Sequence, residues 1–267
     1  MRDGIRYVAV DLDGTVLIED RGISERTIAA FAELKKRGLV PLVATGRPRR
    51  STLRWASLLG VVSGLVCHNG AVVYDATASV LAETTIPEKT ARALVLFARG
   101  IPTHFHGFAG DEWLYETVHE GTARYEHRSG FAGRRVEWAL VPELRFHKAM
   151  FVATEGEAPE IASKLRAEFG DDLEVYPTGS GFVEVVAPGI GKGKSLAILV
   201  ESLGGRMDEV LAFGDAWNDE DLLVRAGIGV AMGNAPKALR DKIGTLAPAA
   251  RDDGVAVWLE DFLSRPS

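Results

Sequence analysis

Near its start the chain alternates short apolar runs with helix-length amphipathic segments, and each apolar run ends abruptly in polar residues. Tyr7–Val10 stops at Asp11, and Ser24 then has the character of a helix cap. Ile28, Phe31 and Leu34 follow at helical spacing, with Gly38 as the stop. Leu39–Ala44 forms the next run. Pro48 opens a second helical stretch carrying Leu53, Leu58 and Leu59, and Leu65–Cys67 reads as a third strand. Apolar strands separated by helices are parallel strands covered on both faces, so this end of the chain predicts an open α/β sheet.

The final third repeats the pattern. A helix is expected near Ser195–Ser202, a strand at Val210–Phe213, a helix at Glu220–Ala226, a strand at Ile228–Ala231 and a last helix around Val255–Phe262. The middle differs: strand-like Ile101–Phe105, Phe146–Ala153 and Phe182–Val186 mix with helical Glu88–Arg99 and Pro159–Phe169. The expectation is an α+β module at 87–187 inserted into a core made of 1–86 and 188–267. A chain of 267 residues suits two domains.

Composition narrows the function classes. With 46% hydrophobic and 25% charged residues the chain has a globular balance, and a net charge of −6 speaks against broad nucleic-acid or anionic-membrane binding. No apolar run approaches the ~18 residues of a membrane span, and the N-terminus lacks the marks of a signal peptide. One cysteine, Cys67, excludes an internal disulfide framework and suits a reducing compartment, so a cytoplasmic location is expected.

The chemistry concentrates where strands end. Asp11-Leu12-Asp13-Gly14-Thr15 follows the first strand, Thr45-Gly46-Arg47 the second, Gly191-Lys192-Gly193 the last strand of the insert, and Gly214-Asp215-Ala216-Trp217-Asn218-Asp219 the strand at 210–213. In open parallel sheets ligands bind beyond the carboxyl ends of the strands, so these stretches are expected at one rim. Together they offer carboxylates for a hard cation, a hydroxyl and a fixed ammonium. A phosphoryl-transfer site needs that inventory, because charge on the transferred group must be neutralised.

In this order the four stretches resemble the motifs of the haloacid-dehalogenase-like (HAD) phosphatases. Asn69-Gly70-Ala71 and Ala231-Met232-Gly233-Asn234-Ala235 are similar to the Cof-type sugar-phosphatase branch. The resemblance implies a Rossmann-like parallel-sheet core with an inserted α+β cap domain that closes over substrate. It also implies an Mg2+-dependent phosphatase acting on small phosphorylated metabolites. It makes Asp11 the nucleophile and Asp13 the acid and base, the latter with a raised pKa. Thr45, with Gly46 beside it, and Lys192 hold the phosphoryl group. Asp11, Asp13 (through its carbonyl), Asp215 and Asp219 (directly or through water) bind the metal. Asn218 orients these groups or touches phosphate. Trp217 stands where many relatives carry a smaller or polar residue and is expected to narrow the site.

Other residues carry plainer readings. Lys194 is taken as a solvated lysine in the first helical turn, and Arg47, Arg49, Arg50 and Arg54 as a solvated basic face. His104 and His106 share one side of a strand and suit a cap surface or substrate-facing role, and Cys67 is a small core residue. Trp113, Tyr115, Tyr125 and Arg128 are either packing or pocket-lining. Three rival readings stay open. A phosphomutase would use the same scaffold, and a non-catalytic protein would only bind phospholigands. A kinase or NTPase loop at Gly193-Lys194-Ser195 lacks its first glycine, with Pro188 in that place.

Overall fold

The structure is a computed structural model that describes residues 4–18, 21–178 and 181–264. The chain divides into two units, Met1–Ala82 with Gly191–Ser267, and Glu83–Ile190. In chain order, the first half of the first unit holds β1 (Tyr7–Val10), α1 (Glu25–Lys36), β2 (Val40–Ala44), α2 (Arg49–Leu58), β3 (Gly64–Cys67), β4 (Val72–Asp75) and all but the last residue of β5 (Val80–Glu83). The second unit holds α3 (Glu88–Ala98), β6 (His104–Ala109), β7 (Glu112–Tyr115), α4 (Glu120–Ser129), β8 (Arg134–Arg135), β9 (Lys148–Val152), α5 (Ala158–Phe169), β10 (Glu174–Pro177) and β11 (Phe182–Val186). The chain then returns to the first unit with α6 (Lys192–Ser202), β12 (Val210–Gly214), α7 (Glu220–Arg225), β13 (Ile228–Ala231), α8 (Lys237–Ile243) and α9 (Gly254–Ser264).

Among the described residues the first unit's sheet runs β13-β12-β1-β2-β3-β4-β5, with β13, β12, β1, β2 and β3 parallel and β4 antiparallel to β3. The open α/β sheet expected from the alternating pattern is therefore present, in the Rossmann-like form that the family resemblance implies. Local chemistry explains the elements. Ser24 caps α1 by accepting from the Thr27 N–H at 3.1 Å, and Gly38 leaves the helix at φ +79°. Every residue of β1 is buried. On one face of the sheet Tyr7, Ala9, Leu42 and Ala44 pack with Leu196 and Leu199 of α6. On the other, Phe213 meets Trp258 of α9 edge to face at 5.3 Å. A sheet covered this way leaves its strand ends as the place for polar side chains.

Several boundaries shift. α6 begins at Lys192 rather than Ser195, so the lysine of the Gly-Lys-Gly stretch is the first helical residue. Pro48 sits at the cap of α2, just outside the helix. β6 begins at His104 and runs to Ala109, because Ile101–Thr103 forms the turn leaving α3.

The second unit has a sheet ordered β10-β11-β9-β6-β7-β8 among the described residues, antiparallel except for the β7–β8 pair. Helices lie on both faces, making it α+β. Phe97 of α3 packs on Phe151 at 6.3 Å and on Phe169 of α5 at 5.7 Å. The opposite face carries His104, His106, Phe108 and Trp113, with Tyr125 of α4 packed against them. Trp113 and Tyr125 thus belong to packing, and Arg128 lies over the Phe182 ring at 5.0 Å. His104 and His106 are fully buried here, not displayed at a surface, because α4 covers the face they share. Cys67 is buried and forms no disulfide. No described helix is long and apolar enough to cross a membrane.

Candidate active site

Asp11 emerges where β1 stops, its N–H still bonded to the Phe213 carbonyl of β12 at 3.1 Å. The chain then turns tightly: the Leu12 carbonyl accepts from the N–H groups of Thr15, Val16 and Leu17. Gly14 makes that turn possible. Its φ is +79°, and a β-carbon there would lie 2.3 Å from the Asp215 carboxylate, so only glycine fits. The turn thus sets the first carboxylate loop against the one that follows β12.

That second loop is organised by Asp219. Its Oδ2 accepts from the backbone N–H groups of Asp215 at 2.9 Å and Ala216 at 3.0 Å, and its Oδ1 from the Lys192 ammonium at 2.6 Å. Both oxygens of this fully buried carboxylate are engaged by protein donors. Lys192 reaches in from the first turn of α6 and also donates to Asp11 Oδ1 at 2.7 Å. Lys194, by contrast, is exposed, and its backbone N–H donates to Asp221 at 2.9 Å.

Asp11, Asp215 and Asp219 each place a carboxylate oxygen within 4.8 Å of the others. Burial raises the Asp11 pKa well above the ordinary carboxylate range, opposed by Lys192 and reinforced by Asp219, Asp215 and Asp13. Burial and then the Asp219 charge push Asp215 up to about 7, against a hydrogen bond from Thr15. Burial disfavours the Lys192 charge, but the Asp11 and Asp219 carboxylates outweigh it and move its pKa upward. The four carboxylates of Asp11, Asp13, Asp215 and Asp219 face two cations, Lys192 and Arg47. With all four ionised, these described residues carry a formal surplus of two negative charges, and that crowding and the all-oxygen donor set fit a hard divalent cation.

Asp13 is held differently from the expectation. Its carboxylate accepts two hydrogen bonds from the Arg47 guanidinium, Nε to Oδ2 and Nη2 to Oδ1, both at 2.7 Å. Arg47 therefore faces the site and is not part of a solvated basic face. A planar guanidinium matches a carboxylate in this two-point way, which a run of arginines in the sequence does not reveal. Thr45 joins the group through the same residue. Buried at the end of β2, its hydroxyl accepts from the Arg47 N–H at 3.2 Å. Gly46, partly buried, lies between them. Asn218 donates from Nδ2 to Asn69 Oδ1 at 2.9 Å. Trp217 is 49% exposed.

Two contributors escaped the sequence reading. Thr15, known only as the end of the first motif, donates its hydroxyl to Asp215 Oδ1 at 3.0 Å. Asn234 donates to the Gly14 carbonyl at 2.9 Å and to Asp215 Oδ2 at 3.2 Å, while its own oxygen accepts from the Ala250 N–H at 2.9 Å. Its presence in the Ala231–Ala235 segment was the available signal.

Comparisons with known proteins give the chain's family. The profile of the haloacid dehalogenase-like hydrolase family matches residues 8–259. The chain is 31% identical over 264 residues to an HMP-PP phosphatase of Serratia proteamaculans, covering 98% of this chain and 96% of that one. It superposes on a haloacid dehalogenase-like hydrolase from Bacteroides thetaiotaomicron with a TM-score of 0.85 at 25% identity, covering 97% of this chain and 99% of the other. It shares its fold with a sugar phosphatase of HAD subclass IIB, with a TM-score of 0.82 at 23% identity over 96% and 98% of the two chains. A family match along nearly the whole chain, on a core whose strand ends gather these carboxylates around one buried lysine, means that the protein belongs to the haloacid dehalogenase-like hydrolases.

Proposed function

We propose that this enzyme is an Mg2+-dependent phosphatase that hydrolyses small phosphate monoesters, sugar phosphates or similar metabolites, through an aspartyl-phosphate on Asp11. The observation that carries the reading is the buried Lys192 ammonium, shared by Asp11 and Asp219 beside Asp215, in a cluster whose carboxylates outnumber its cations. In this reading Asp11 attacks phosphorus and the bond to the substrate oxygen breaks. Asp13 gives that oxygen a proton, then takes one from the water that attacks phosphorus and frees Asp11. Splitting hydrolysis this way replaces one difficult step by two easier ones.

Thr45, with the Gly46 backbone and Asn218, receives phosphoryl oxygens, and Lys192 offsets their charge. The residues proposed to hold Mg2+ are the Asp11 carboxylate, the Asp13 carbonyl and Asp215. Asp219, with both oxygens engaged, supports the shell directly or through water. Bound Mg2+ supplies electrostatic stabilisation of the charge on the transferred group. For Asp13 to act as an acid, the Arg47 fork has to loosen while Asp13 carries its proton.

We assign 1–86 with 188–267 to the catalytic core and the inserted 87–187 to a cap that selects the substrate, because the insert lies between the second and third motifs. HMP-PP joins the candidate substrates through the curated relatives. Cys67, buried and outside any disulfide, suits a reducing cytoplasm. The test is phosphate release from a panel of phosphorylated metabolites including HMP-PP, measured with Mg2+ and with EDTA. Turnover confined to the Mg2+ arm is expected. No phosphate from any ester, or equal rates in EDTA, sinks the proposal.

A further inference from the structure

Between β3 and its antiparallel neighbour β4, the chain makes a buried turn through three residues in left-handed backbone conformation: His68 at φ 53°, Asn69 at φ 60° and Gly70 at φ 105°. Left-handed backbone is strained for residues with a β-carbon, and glycine is the default choice. His68 and Asn69 are instead retained, both buried. Such strain persists where the surroundings fix it, and here they do so from three directions. The His68 N–H donates to the Arg47 carbonyl at 3.1 Å and the Asn69 N–H to the Thr45 carbonyl at 3.0 Å. The Gly70 carbonyl accepts from Ser195 Oγ at 2.7 Å, on the helix whose first residue is Lys192. The Asn69 side chain adds the fourth tie, its oxygen accepting from Asn218 Nδ2 at 2.9 Å.

All of the backbone ties survive replacement by glycine. The tie to Asn218, in contrast, needs the asparagine side chain. We propose that Asn69 is a positioning residue, whose side-chain oxygen fixes the Asn218 amide in register with the Thr45–Arg47 loop. Two stretches distant in the chain then present a hydroxyl and an amide to the phosphoryl oxygens at a set separation. The proposal rests on the phosphatase reading for its consequence, though not for the pairing itself.

The experiment uses Asn69→Gly, which suits the left-handed backbone and removes only the side chain, together with Asn218→Ala and the double variant. With a phosphomonoester and saturating Mg2+, Asn69→Gly is expected to lower kcat/KM by about ten- to fiftyfold, with the unfolding midpoint unchanged or raised. In the Asn218→Ala background the same change should cost less than about threefold, because residues acting through one contact are not additive. A second readout is independent of turnover. In protein labelled with 15N-asparagine, solvent exchange of the Asn218 side-chain amide should quicken by about tenfold in Asn69→Gly. Parent-like kcat/KM in Asn69→Gly, losses that multiply in the double variant, or an Asn218 amide indifferent to the change would each overturn the proposal. Faster amide exchange in a protein whose parent releases no phosphate upholds the pairing and overturns the phosphatase reading instead.

Discussion

Arg47 and Asp13 meet as two planar forks, with both carboxylate oxygens 2.7 Å from guanidinium nitrogens. The pair sits at the carboxyl ends of adjacent strands β1 and β2, where a residue assigned to proton transfer is pinned in one orientation. Lysine at position 47 keeps the charge and loses the two-point match. Arg47→Lys is therefore expected to lower kcat/KM for an alkyl phosphate by about ten- to a hundredfold, within the range that general acid catalysis supplies. p-Nitrophenyl phosphate, whose leaving group needs little protonation, should lose much less. Equal losses on the two esters would show that Arg47 does not act through Asp13.

The sites of these contacts were legible in the sequence, while their partners were not. Strand ends can be located from apolar runs that stop, so Asp11, Thr45 and Asp215 could be placed at one rim. Arg47 lay in a basic cluster whose other members gave no reason to single it out, and Asn234 lies 220 residues from the Gly14 carbonyl that it holds. Nothing local in a sequence encodes such pairings. α4 was missed for a different reason. Its buried residues are Thr122, Tyr125 and Ser129, two of them polar, so the apolar periodicity that reveals α1 is absent. Without that helix, the common face of His104 and His106 was visible but its cover was not.

Lys192 holds two buried carboxylates, and its removal leaves both without their ammonium. Lys192→Met should destabilise the protein by about 3–5 kcal/mol, the usual cost of breaking a buried ion pair from one side. Removing one of the stranded charges should return part of that loss. Urea unfolding in EDTA of Lys192→Met, Asp219→Asn and the double variant measures this. The expected double variant is more stable than the sum of the single losses predicts. Simple additivity would mean that the three side chains are not energetically coupled.

Asp11→Asn separates chemistry from folding. An amide cannot serve as the nucleophile, so turnover should fall below detection, and activity within about tenfold of the parent would refute the assignment. Stability should move the other way. Asp11 is buried among three further carboxylates, and removing its charge relieves that crowding while Lys192 keeps Asp219. In EDTA the unfolding midpoint is expected to match or exceed the parent's, and the rise produced by adding Mg2+ should shrink. A variant that unfolds several degrees earlier in EDTA would show that the Lys192–Asp11 bond outweighs the repulsion.

In the second unit, His106 lies against Tyr125 at 4.1 Å and Trp113 at 5.0 Å, with neither ring nitrogen hydrogen-bonded to protein among the described residues. Burial, with help from His104 and Lys148, moves its pKa well below the usual histidine value. Burial and the nearby His119 likewise push His104 down to about 4. An unfolded histidine titrates near ~6.5. Between about pH 6.5 and 4 the unfolded chain therefore binds protons that the folded one refuses. The stability from these neutral rings is complete above the unfolded value and is lost as the pH falls, by about 3 kcal/mol for His104 alone once pH 4 is reached. His106→Phe keeps an aromatic ring and removes both polar atoms, so it should be neutral or stabilising at pH 7.5. It should also flatten the decline that the parent suffers between pH 7.5 and 5. Denaturant unfolding of both proteins at the two pH values, followed by tryptophan fluorescence, provides the comparison. Parallel declines would remove His106 from the pH dependence and leave it to the remaining titratable groups.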